Sequence, residues 1–134
     1  TVKNLAKSLD SDWDIEISDM HHKDKVDSPS GTALELASAV AKGREIDIDT
    51  SLDISRNGSE LSRKKGDIGI VSLRGGTVIG DHSVVFAGKG ERIVISHFAE
   101  NRNIFVNGAL KSAEWGVGKG PGLFSAIDVL GIEN

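Results

Sequence analysis

Three apolar segments separated by glycines constrain the fold of this chain most. In residues 68–74, 78–87 and 92–98, β-branched and other apolar side chains dominate, which predicts strands. Gly75-Gly76 and the Gly88-Lys89-Gly90 triplet separate them and are typical of hairpin turns. Consecutive strands joined by short turns usually pair antiparallel, so this part of the chain predicts an antiparallel sheet.

The residues before this sheet predict helix, strand and helix. Apolar residues at helical spacing predict a helix over residues 2–9, and alternation over residues 13–18 predicts a half-buried strand. Residues 20–30 are polar and predict a loop. A second helix is predicted over residues 32–42, with Thr32 and Glu35 at capping-box spacing and Gly43 just after its end.

The remaining segments are a polar stretch, a helix and an apolar tail. Residues 44–67 predict little regular structure, with a turn at Asn57-Gly58. A helix is predicted over residues 101–116, and residues 123–130 form an apolar tail. The predicted class is therefore α+β, with a mostly antiparallel or mixed open sheet and two to three helices on one face.

Composition excludes several classes of function. The net charge of −4 argues against general nucleic-acid binding, which needs a surplus of Lys and Arg. No apolar run approaches 18 residues, so no membrane span is predicted. There is no cysteine for a disulfide or a thiolate metal site, which fits a cytoplasmic protein.

The chemistry is concentrated in residues 19–33. His21, His22, Lys23 and Lys25 form a cationic patch in an acidic chain. Just downstream, Ser30-Gly31-Thr32 opens a helix, where unpaired N–H groups bind carboxylate or phosphate. Gly31 allows close approach to the backbone. Together these groups predict a site for a small anion with more than one carboxylate, next to proton donors.

Such a site requires a bend in the chain. In one straight strand, His21 and Lys25 would lie roughly 13 Å apart at about 3.3 Å per residue. That distance is too long for both side chains to serve one small ring. We therefore predict that the chain bends after His22.

Residues 21–33 resemble the signature of the dihydrodipicolinate reductase family, H-x-x-x-K-x-D-x-P-S-G-T-A, at every fixed position. The acid before it is Asp19, where the family usually has Glu, and the shorter side chain could alter how the loop is braced. The resemblance continues through residues 73–84 and 90–93 and into residues 122–130, so it covers nearly the whole chain.

The resemblance implies a role for each matched residue. His21 would donate the proton to the substrate and Lys25 would assist it, while His22 would contact the substrate. Gly31 and Thr32 would hold a carboxylate, and Ser30 is a further substrate-binding candidate because its hydroxyl can donate. The implied substrate is a cyclic dicarboxylate of the diaminopimelate and lysine biosynthesis route, reduced by hydride from NADPH or NADH.

The resemblance also implies a domain organisation. Residues 1–121 would form the substrate-binding domain, which assembles into homotetramers through its sheet. Residues 122–134 would pack on an N-terminal dinucleotide-binding domain. No G-x-G-x-x-G follows a strand here, so that domain is expected to lie outside this chain, and the chain alone is predicted not to reduce substrate.

Other interpretations stay open at this stage. The chain could be a stand-alone dicarboxylate-binding module or mainly an oligomerisation domain. Arg74 could flank an ordinary hairpin or face the nicotinamide end of a cleft, while His82 and His97 are interpreted as structural or interfacial. No metal site is predicted, because adjacent histidines in extended chain point opposite ways. The Arg63-Lys64-Lys65 cluster is typical of a solvated loop, with a nucleotide phosphate site as the alternative.

Overall fold

The computed structural model describes residues 1–54, 56, 58–59 and 61–132. It divides into two compact units, residues 1–99 and residues 100–134. Of the elements in the described residues, the five strands lie in the first unit and the last two helices lie in the second. No helix of the described residues is long and apolar enough to cross a membrane.

The first unit is an open, mixed sheet with helices against one face, which confirms the α+β prediction. Its helices are α1 (Val2–Ser8), α2 (Gly31–Arg44) and α3 (Ile48–Ser51). Its strands are β1 (Asp14–His21), β2 (Leu52–Asp53), β3 (Ile68–Arg74), β4 (Asp81–Gly88) and β5 (Glu91–Phe98). The strand order is β2-β3-β1-β4-β5.

The sheet is less antiparallel than the sequence predicts, because β1 lies between β3 and β4. β1 pairs parallel with β3 and antiparallel with β4, and β2 pairs parallel with β3. The predicted hairpin at Gly75-Gly76 is therefore wrong, since the chain crosses over β1 there. The hairpin at the Gly88-Lys89-Gly90 triplet is confirmed by antiparallel pairing of β4 with β5.

The core lies between α2 and one face of the sheet, the helix-covered face. Alternate residues of β1 are buried there, beginning with Ile15 and Ile17. Ala33, Ala37 and Val40 of α2 pack against them. The small alanine side chains let the helix approach the sheet closely, and α1 joins the same core through Ala6.

The ends of α2 differ from the prediction. The helix begins at Gly31 with Ser30 as its N-cap, whose Oγ accepts a hydrogen bond from the Ala33 amide at 3.2 Å. The predicted capping box of Thr32 and Glu35 is therefore wrong. Gly43 does not follow the helix but lies buried inside it, where a Cβ atom would stand 2.4 Å from the Lys3 carbonyl oxygen. Its role is close packing against α1.

The polar stretch 44–67 has more structure than predicted, since it contains α3 and β2. Arg63 pairs with Asp14 and Glu16 of β1, at 2.8 and 2.5 Å, and Lys65 pairs with Asp12 at 2.5 Å. Two members of the basic cluster thus bind acids at and before β1. The predicted turn at Asn57-Gly58 falls partly on Asn57, which lies outside the described residues.

The opposite side of the sheet, the open face, exposes large apolar side chains. It is formed by Ser18 and Met20 of β1, Val71 and Leu73 of β3, Ser83 and Val85 of β4, and Val94, Ser96 and Phe98 of β5. Phe98 is 62% exposed, and Val71 and Val94 are about half exposed. By strand register, Ile93 and Ile95 belong to the helix-covered face and are not part of the open face.

The second unit consists of α4 (Asn103–Gly116) and α5 (Ala126–Leu130). The first confirms the predicted helix with a start two residues later, and the second lies within the predicted apolar tail. Trp115 packs edge-on against Phe124 at 5.1 Å between ring centroids, and the Lys119 ammonium lies 4.4 Å from the Trp115 ring centroid. A capping box of Ser125 and Asp128 begins α5.

Candidate active site

The candidate site lies where β1 and β3 end and β4 begins. Because β1 and β3 are parallel and β4 is antiparallel to β1, these ends meet at one corner of the sheet. The alternation that buries Ile15 and Ile17 continues to Asp19 and His21, so both face α2. Their register partners bring further polar side chains to the same corner: Ser72 and Arg74 on β3, and His82 on β4.

Asp19 holds this corner together and is 1% exposed. Its Oδ2 accepts hydrogen bonds from the Ser30 amide at 2.9 Å and the Ser72 hydroxyl at 3.1 Å. Its Oδ1 accepts from Arg74 Nη1 at 2.5 Å. Burial alone raises the pKa of Asp19, but these donors outweigh burial and lower the pKa to about 2. Asp19 is therefore a buried carboxylate that stays ionised.

His21 is oriented by the same carboxylate. Its Nδ1 lies 3.3 Å from Asp19 Oδ1, and the side chain is 10% exposed. With an ionised carboxylate beside Nδ1, that nitrogen carries the proton, and Nε2 is left as the atom that can give or take one. A Cβ atom at position 80 would stand 3.2 Å from Nε2, so Gly80 leaves room for the ring. This arrangement suits a proton donor.

The predicted bend after His22 is confirmed. β1 ends at His21, and the Lys25 amide donates to the His22 carbonyl at 3.2 Å, which closes a turn. The segment Gly75-Gly76 supports the bend: the Gly75 amide donates to the His21 carbonyl, and the Lys23 amide donates to the Gly76 carbonyl. The glycines assigned to a hairpin thus brace the segment that carries the site.

Lys25 and Arg74 fix the chain beyond the bend. Lys25 Nζ donates to both carboxylate oxygens of Asp27, at 2.7 and 2.9 Å, and this interaction lowers the pKa of Asp27. Arg74 Nη2 donates to the Asp27 carbonyl at 2.7 Å while Nη1 binds Asp19. Arg74 therefore links the buried carboxylate to the loop, and a role at the nicotinamide stays a prediction.

The N-terminus of α2 completes the site. Gly31 and Thr32 are exposed residues of its first turn, whose N–H groups have no carbonyl partner within the helix. A Cβ atom at Gly31 would meet nothing within 4 Å, so a ligand has open access to the backbone there. Free amides and the positive end of the helix favour a carboxylate at this point.

Sequence analysis missed the contribution of the distant strands. Ser72 binds Asp19, and His82 lies against both His21 and Ser30, yet neither was assigned to the site. Strand alternation alone places Asp19 beside His21, but Ser72 and His82 become visible only once the register of β1 with β3 and β4 is known. Among the described residues, no group of three His, Asp or Glu side chains is placed to hold a metal ion.

Residues 1–130 match the sequence model of a protein family described as dihydrodipicolinate reductase, C-terminus. The chain belongs to this family. Two curated relatives are 4-hydroxy-tetrahydrodipicolinate reductases that are 59% identical to this chain. The match covers 98% of this chain for the enzyme of Parvibaculum lavamentivorans and 99% for that of Rhodopseudomonas palustris (strain BisA53). Both matches cover 49% of the relative, so the chain spans about half the length of these reductases.

A solved structure agrees with this assignment. The dipicolinate-bound dihydrodipicolinate reductase of Paenisporosarcina sp. TG-14 is similar with a TM-score of 0.60 and 27% sequence identity. The match covers 84% of this chain and 43% of that chain. The family predicted from residues 21–33 is thus confirmed by both sequence and fold.

Proposed function

We propose that this chain forms the dicarboxylate-binding and proton-donating part of a 4-hydroxy-tetrahydrodipicolinate reductase of diaminopimelate and lysine biosynthesis. The observation that carries the proposal is the Asp19–His21 pair beside the N-terminus of α2, with Lys25 on the adjoining bend. The dipicolinate named with the related structure is a planar dicarboxylate that suits such a site.

In this proposal each residue has a distinct task. The amides of Gly31 and Thr32, with the Ser30 hydroxyl, bind one carboxylate of the cyclic substrate, and His22 contacts the ring. His21 gives a proton from Nε2 to carbon, while Asp19 orients the ring through Nδ1. Lys25 has three donors and can retain Asp27 while it reaches toward the substrate.

The proposed cofactor, NADPH or NADH, would supply the hydride. The described residues do not fit a dinucleotide site: no strand leads through a glycine-rich turn into a helix N-terminus, and the Arg74 Nη atoms donate to Asp19, Leu73 and Asp27. We therefore assign only substrate binding and proton donation to this chain. Packing of residues 122–134 on a nucleotide-binding domain and a cytoplasmic location stay predictions, and residues 133–134 lie outside the described residues.

Binding of pyridine-2,6-dicarboxylate tests the proposal. We expect saturable binding by calorimetry, with chemical-shift changes at His21 and His22. Lys25→Ala should weaken it about tenfold, the order of one lost hydrogen bond to a charged group. Lys23→Ala is the matched control, because this exposed neighbour uses only its backbone amide in the bend. Absence of binding, or equal losses in both variants, would contradict the proposed site.

We further propose that the open face joins four copies of the chain. Exposed apolar surface on one sheet face is typical of an interface between subunits, and Val71, Leu73, Val94 and Phe98 supply it here. A stand-alone dicarboxylate-binding module would keep the site without this assembly.

Light scattering tests the assembly. We expect a mass about four times the 14.2 kDa of the chain. Val94→Lys places a charge on the open face and should shift the mass toward that of a monomer, because burying an unpaired ammonium is costly. Val26→Lys is the control, since Val26 is 94% exposed in the loop after the bend. A monomeric parent chain would refute this assembly.

A further inference from the structure

His82 lies outside the motif of residues 21–33 but contacts two of its members. It stands opposite Asp19 in the pairing of β1 with β4. Its ring packs edge-on against the ring of His21, with 5.1 Å between centroids. Its Nε2 lies 3.2 Å from Ser30 Oγ. His82 therefore adjoins both the proposed proton donor and the cap of the carboxylate-binding helix.

The hydroxyl hydrogen of Ser30 is the one polar hydrogen of this residue whose acceptor is not yet assigned. Its amide donates to Asp19, and its Oγ accepts from the Ala33 amide. If His82 Nε2 is unprotonated, the Ser30 hydroxyl donates its hydrogen to that nitrogen. If Nε2 carries a proton, it donates to Oγ instead, and the hydroxyl hydrogen becomes free for a ligand. The protonation of His82 thus decides the direction in which Ser30 donates.

We propose that His82 is a positioning residue for dicarboxylate binding: protonation at Nε2 releases the Ser30 hydroxyl to donate to a ligand carboxylate. The inference rests on the proposed function, because the ligand is the dicarboxylate assigned to the N-terminus of α2. His82 acts through Ser30 and does not itself contact the ligand in this scheme. It adds a residue of β4 to a site otherwise built on β1, its bend and α2.

The surroundings of His82 set the sign of the expected pH dependence. Burial lowers the pKa of His82 below 6.5, as do His21 and, more weakly, His97, while Asp19 and Asp81 raise it. The free chain therefore holds His82 neutral at pH 7.5, and we take the one ring hydrogen to lie on Nδ1, so that Nε2 accepts from the Ser30 hydroxyl. A doubly negative ligand favours the protonated ring, so binding takes up a proton and affinity falls as pH rises.

Nitrogen NMR of ¹⁵N-histidine-labelled chain tests the proposal directly. The chain has four histidines, and His82→Gln and His97→Gln variants assign two of them. On saturation with pyridine-2,6-dicarboxylate at pH 7.5, we expect His82 Nε2 to change from acceptor to protonated donor. His97, which pairs with His82 in the register of β4 with β5, is the control and should not change. Saturable binding with unchanged His82 nitrogens would overturn the inference but leave the proposed function intact.

His82→Gln provides a second test that a purely structural role would not pass. The glutamine amide keeps an N–H donor for Ser30 but does not titrate. We expect the affinity of the parent, relative to that of this variant, to fall about tenfold between pH 5.5 and pH 8. Equal weakening at both pH values would show that His82 only supports the fold. Absence of binding in the parent chain would overturn the proposed function together with this inference.

Discussion

Asp19→Ala is expected to lower the free energy of unfolding by about 3–5 kcal/mol. The substitution leaves Arg74 without its carboxylate partner and removes the acceptor of the Ser30 amide and the Ser72 hydroxyl. A buried charge that loses its partner costs far more than an exposed one. Chemical denaturation followed by circular dichroism measures the loss.

Asp12→Ala is the matched control for this substitution. Asp12 also pairs with one cation, Lys65, but the pair is exposed on both sides. We expect its removal to leave the free energy of unfolding unchanged within error. Similar losses in the two variants would show that Asp19 does not stabilise the site corner as its contacts indicate.

The effect of Asp19 should also depend on pH. Its pKa is lowered from 3.8 to about 2 in the folded chain, so its contribution to stability is complete above pH 3.8 and disappears as pH falls toward 2. The difference in unfolding free energy between the parent and Asp19→Ala should therefore narrow over that interval. A difference that stays constant down to pH 2 would contradict the assigned ionisation.

Gly43→Ala is expected to destabilise the chain by about 1–3 kcal/mol, even though alanine is normally the better helix former. The added Cβ would stand 2.4 Å from the Lys3 carbonyl oxygen and 2.9 Å from Ala6 Cβ, and neither neighbour is the flexible end of a side chain. α1 must therefore move away from α2. Urea denaturation measures the cost.

Gly31→Ala in the same helix provides the comparison. A Cβ at Gly31 meets nothing within 4 Å, so this substitution should be neutral or slightly stabilising. Opposite behaviour of the two variants would show that the packing of α1 on α2, and not glycine as such, decides the result. If Gly43→Ala proves as stable as the parent, the helices are not packed as closely as described.

The local parts of this structure could be predicted from the sequence. Alternation along β1 identifies the buried side of Ile15 and Ile17, the spacing of His21 and Lys25 predicts the bend, and the signature of residues 21–33 identifies the family. Each of these signals lies within a short window, where backbone periodicity and turn chemistry dominate.

The long-range parts could not be predicted in the same way. Two glycines between β3 and β4 favour a hairpin locally, but β1 pairs with both strands and separates them. This strand order is determined by tertiary packing and not by the local sequence. In the sequence, Gly43 follows an apolar stripe, which is typical of a glycine that ends a helix. In the structure, a glycine is required there because α1 packs too closely for a Cβ atom. Ser72, Arg74 and His82 reach the site only through strand register.

The eight residues of β1 place hydrophobic core and chemistry in a single alternating series, with Ile15 and Ile17 followed by Asp19 and His21. A one-residue slip of β1 against β3 and β4 would exchange the whole series for Asp14, Glu16, Ser18 and Met20. Such a slip would bury two carboxylates among the alanines of α2 and would carry Asp19 and His21 together to the open face, away from Ser30 and Arg74. A slip of this kind would therefore disrupt the site and the core together.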